Sequence, residues 1–131
     1  MATGYNVLLR NAQLDAITTF AGAGAKLRIY DGVRPATAGA VTVLLAEFTL
    51  GSPFAAAAAS GSLSPTAPAN TTGAATGTAT WFRVVKADGI AFVLDGSAGT
   101  TSAFDMVLNT TSVQTGVAVA VSGWTVTRGN A

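Results

Sequence analysis

One change of period divides this chain. Up to residue 21 the apolar residues recur at helical spacing, and beyond Gly22-Ala-Gly24 that period is lost. Short alternating runs rich in Val, Ile, Phe and Trp replace it, cut at intervals by Gly, Asp and Asn. A chain built this way folds as one helix followed by many short antiparallel strands. The expected architecture is therefore mainly β: an antiparallel β-sandwich of about six to eight strands with one N-terminal α-helix. Its 131 residues suit a single domain, with the helix over 1–21 and the sandwich over 26–127.

The helix carries two apolar stripes. Tyr5, Leu8, Leu9, Ala12, Ala16 and Phe20 share one face, which is the expected core face. Thr3 is the expected N-cap, and Gly22 to Gly24 the stop. Val7, Leu14 and Ala21 recur on a different face, with Ile17 beside them. Two readings stand for that second stripe: a groove covered by the chain itself, or a contact with another subunit. Under the second, Val7, Leu14 and Ile17 are candidate interface residues.

Within the β-region, Leu27 and Ile29 alternate with Lys26, Arg28 and Tyr30, and Asp31-Gly32 reads as a turn. Further strands are expected over 41–50, 78–86, 90–94, 104–109 and 117–127, with a hairpin turn at 87–89 and another turn at Asp95-Gly96. Residues 51–77 carry no charge and three of the four prolines, so they read as a long loop. Phe54 and Leu63 alone offer it substantial apolar anchors. The expectation is a segment mobile in the free chain and ordered against neighbouring subunits, with Phe54 and Leu63 as candidate interface residues.

Little in the chain is equipped for chemistry. Histidine and cysteine are absent, which removes imidazole bases, thiol nucleophiles, disulfides and zinc sites built on either residue. Asp31, Asp88 and Asp95 each precede a glycine, where a carboxylate serves a turn. No calcium-loop spacing links the acids, and nothing points to a glycosidase-type pair. Gly22-Ala-Gly24-Ala-Lys26 follows a helix and lacks the ending of a phosphate loop. The chain reads as a non-enzyme without cofactor or metal.

Lys26, Arg28 and Arg34 form a candidate basic patch, either a solvated strand face or a contact with an acidic partner. A net charge of +1 gives no footprint for specific nucleic-acid binding. Trp81 and Phe82 lie on an alternating run, so core packing is expected of them rather than base stacking. The opening MATGYN lacks a signal-peptide pattern, and no apolar run has membrane-spanning length, so a soluble, unprocessed chain without membrane contact is expected. Asn70 and Asn109 match a glycosylation sequon and are read as loop residues. Only 13 residues are charged, while Ala, Gly and Thr make up 61. Such a surface suits a permanent assembly component better than a free monomer.

Residues 14–37 (LDAITTFAGAGAKLRIYDGVRPAT), 77–85 (GTATWFRVV), 94–100 (LDGSAGT) and 109–130 (NTTSVQTGVAVAVSGWTVTRGN) together resemble small virion structural proteins of tailed bacteriophages and prophages. The resemblance implies a short helix followed by an Ala/Thr/Gly-rich β-domain, a structural role and no active site. It implies a virion location after synthesis in the host bacterial cytoplasm. The favoured expectation is a capsid decoration (cement) protein, a homo-oligomer that binds the phage major capsid protein. The alternatives are a tail or neck structural protein and, behind it, a glycan-binding fibre module.

Overall fold

A computed structural model describes residues 4–128. Helix α1 (Val7–Ala21) starts where the Asn6 side chain accepts the Leu8 N–H at 2.8 Å, and it stops at Gly22. There a φ of +70° lets the Gly22 N–H reach back to the Thr18 carbonyl at 3.2 Å. Thr3, the expected cap, lies outside the described residues.

The helix is rotated relative to the expected core face. Leu14 and Ala21 are buried and Ile17 packs on the core of the same chain, while Leu8, Leu9 and Phe20 point outward. Polar residues set this rotation. Asp15 accepts the Ala58 N–H at 2.7 Å, Asn11 accepts the Gly61 N–H at 2.9 Å, and Arg10 donates to the Arg128 carbonyl at 3.1 Å. These bonds satisfy backbone groups of the underlying loop that would otherwise lack partners. With apolar residues on both faces, such anchors decide which face goes in.

The remaining elements run in chain order as β1 (Lys26–Tyr30), β2 (Leu44–Thr49), β3 (Ser62–Leu63), β4 (Thr71–Thr72), β5 (Gly77–Thr78) and β6 (Trp81–Val85). They continue as β7 (Phe92–Gly99), β8 (Met106–Leu108), β9 (Ser112–Val113), β10 (Ala118–Val119), β11 (Val121–Trp124) and β12 (Val126–Thr127). Six of them form one sheet in the order β11-β8-β7-β6-β1-β2, antiparallel except for β7 with β8. The pairs β10-β4, β12-β3 and β5-β9 extend the structure around it. The fold is mainly β, with one N-terminal helix on a large curled, antiparallel-dominated sheet.

Register assigns the two faces of that sheet. Leu27 pairs with Phe48 and Val84, and Ile29 with Ala46 and Phe82, so these residues share the inner face. Leu14, Phe54, Leu63 and Trp124 complete the core there. The Trp124 ring stands edge-on to Phe54 and Phe82, at 5.6 and 5.3 Å between centroids. Strand β6 is buried on both sides, as aromatic and β-branched residues at its positions require.

Two expectations fail here. Residues 51–77 are not a loose loop, because Phe54 and Leu63 are fully buried in their own domain. Backbone bonds add to that anchoring: Thr66 donates to Phe54, Gly73 to Val117 and Ala74 to Leu45, at 2.7–3.0 Å. Asp95-Gly96 is not a turn either, but the middle of β7. Gly96 stands there because a Cβ would lie 2.5 Å from the Phe82 ring. Asp88, in contrast, does serve the expected turn, accepting the N–H groups of Ile90 and Ala91.

Candidate functional site

The outer face of the sheet carries most of the charge on the strands. Pairing sets Arg28 opposite Glu47 on one side and Arg83 on the other, and Arg83 opposite Asp95. A row Glu47–Arg28–Arg83–Asp95 therefore crosses four strands. Arg83 binds Asp95 through two bonds of 2.7 and 2.9 Å and donates a third to the Gly39 carbonyl at 3.0 Å. Its guanidinium lies 5.3 Å from the ring centres of both Trp81 and Phe92. The two side chains of this pair are only 9% and 7% exposed. The hydrogen bond to Asp95 raises the Arg83 pKa against the opposing effect of burial, so the charge is held permanently.

The geometry divides the candidate basic patch, with Lys26 and Arg28 beside Glu47 on the strand face and Arg34 elsewhere. Glu47 sits 2.7 Å from Arg28 and 3.7 Å from Lys26, so a single carboxylate offsets one of their two positive charges. Burial is the largest single influence on Arg28 and opposes its charge, but the hydrogen bond and charge of Glu47 together with Tyr30 outweigh it, leaving the pKa raised. Arg34 lies apart, exposed at the rim of an open groove of about 490 Å³ that Phe92 and Asp95 also line.

The carboxylates are all engaged by the chain itself. Asp15 holds Ala58, Asp31 accepts the Val43 N–H at 3.0 Å, and Asp105 accepts both the Ser97 N–H and its hydroxyl. Glu47 and Asp95 are paired with arginines, and Asp88 caps its turn. A second groove of about 270 Å³ brings Asp95, Asp105 and Trp124 near one another, yet each faces partners already described. Among the described residues, no group of three or more acids gathers to hold a metal. No helix there is long and apolar enough to cross a membrane.

Of the candidate interface residues, Leu14, Ile17, Phe54 and Leu63 belong to the chain's own core, and Val7 alone is exposed. The surface feature that sequence reasoning assigned to the core is the outer face of α1. Leu8, Leu9 and Phe20 there are 72%, 48% and 53% exposed. The signal was present in the sequence as a helix with more apolar faces than one core can cover. No family model, curated protein or solved structure matches the chain.

Proposed function

We propose that this chain is a structural component of a tailed-phage particle, a decoration protein seated on the lattice of the major capsid protein. The observation that carries the reading is the state of its charges. Only 13 residues are charged, the carboxylates hydrogen-bond within the chain, and an apolar helix face is turned outward. A surface with so few charges and exposed Leu and Phe gains by being covered in an assembly. The residues that resemble small virion proteins, above all the helix-to-strand junction at 14–37, supply the particle.

A low-resolution reconstruction of particles containing the chain tests this, with copy number by quantitative mass spectrometry. Density repeated over the capsid surface, in hundreds of copies, is the expected result. Density confined to one ring at the neck or tail replaces the decoration reading with the tail or neck one. Absence from purified particles overturns both.

A further inference from the structure

We infer that the outer face of α1 is a self-contact, at which two copies of this chain pack antiparallel across a two-fold axis. The inference rests on the reading of the chain as an assembly component and names the partner of one face. Leu8, Ala12, Ala16 and Phe20 lie four residues apart and form one ridge on the exposed side of the helix. The order of sizes along it is large, small, small, large. Laid against itself antiparallel, the ridge sets Leu8 against Phe20 of the second copy and Ala12 against Ala16, and the reverse pairs follow by symmetry. The alanines let the helix axes approach closely at the centre, and the bulky residues close both ends.

Charge favours that direction. Helix α1 has no acidic residue in its first turn and no basic residue in its last turn, so its dipole is not offset by its own side chains. An antiparallel neighbour places each helix start beside the other's end. Of the charged residues nearest the ridge, Arg10 and Asp15 are held on the underlying domain. Lys86 lies 4.4 Å over one face of the Phe20 ring, at the edge of the ridge, where its charge faces the second copy's helix start and offsets part of the dipole gain.

A specific interface buries at least about 1,000 Å² in total, or about 500 Å² per copy, so the contact must take in the whole exposed face: Leu8, Leu9 and Phe20, 72%, 48% and 53% exposed, with Ala12, Ala16 and Thr19 beside them.

Sedimentation equilibrium of the purified full chain, without capsid, is the test. The expected mass is twice the 13.0 kDa of one chain. Ala12→Arg, at an exposed position, should return it to one chain with its melting temperature kept. The cysteine-free sequence allows a geometric check. A short bis-maleimide should join Leu8→Cys to Phe20→Cys in a mixture and leave each variant alone unlinked, because like positions sit about 18 Å apart along antiparallel helices. A single-chain mass at about 100 μM, where a micromolar contact would be saturated, or Leu8→Cys linking to itself, overturns the inference. A dimer missing from particles leaves this contact standing and removes the decoration reading; a monomer that coats capsids does the opposite.

Discussion

Arg83 and Asp95 show how one buried pair ties a loop to a sheet. Each is almost fully covered, and the guanidinium also holds the Gly39 carbonyl between two aromatic rings. Removing one partner of such a pair leaves a charge buried without compensation, which costs about 3–5 kcal/mol. Asp95→Ala should therefore lower the unfolding free energy by roughly that amount in urea denaturation. Arg83→Met combined with Asp95→Leu should recover most of the loss, since it removes both charges. Asp88 gives a residue-scale test in pH. Hydrogen bonds from Ala91 and then Ile90 favour its ionised form and lower its pKa below the usual aspartate range. Its contribution is thus present above the unfolded-state pKa and lost as pH falls through the lower folded value. The amide resonances of Ile90 and Ala91 should titrate with a midpoint below that of a model aspartate, and a midpoint at or above it would contradict the turn geometry.

At the scale of elements, the helix tests which of its faces matters for what. Leu14 is buried against the sheet, and its truncation to alanine should cost about 2–5 kcal/mol of stability. Leu8→Ala should change stability by less than about 0.5 kcal/mol, as surface substitutions do, and weaken self-association instead. The helix was legible because Gly22 and Gly24 end a clear period, and so was the turn at Asp88. The rotation of the helix was not, because two apolar stripes compete and the deciding contacts, Asn11 to Gly61 and Asp15 to Ala58, join residues far apart in sequence. Asp95 misled for a related reason: Asp-Gly is a turn signal locally, and only the Phe82 ring and Arg83 across the strand explain it. Apolar area alone makes the segment 51–77 look loose, and the backbone bonds that hold it, Thr66 to Phe54, Gly73 to Val117 and Ala74 to Leu45, join residues whose pairing no local pattern marks. Hydrogen exchange on the free chain should accordingly show slow amides at Thr66, Gly73 and Ala74, and fast exchange at all three would restore the mobile loop.

For the whole molecule, the distribution of charge decides what kind of force can hold it to anything. The net charge is +1, the ion pairs are internal to the sheet face, and the exposed charges outside them, Arg34, Asp88, Asp105 and Arg128, are few and of mixed sign, so long-range attraction toward a partner is weak. Apolar contact through α1 is the force that remains. The two forces respond to salt in opposite ways. Screening shortens from about 30 Å at 0.01 M to about 3 Å at 1 M salt, so a charge-driven contact weakens steeply as salt is added. Sulfate strengthens apolar burial by exclusion from the protein surface. The self-dissociation constant should therefore change less than about threefold between about 0.05 and 0.5 M sodium chloride, and it should fall when sulfate replaces chloride. A loosening of about tenfold or more over that range would mean that charges carry the contact. Arg34 and the groove it borders, rather than the Leu8 to Phe20 ridge, would then be the place to look.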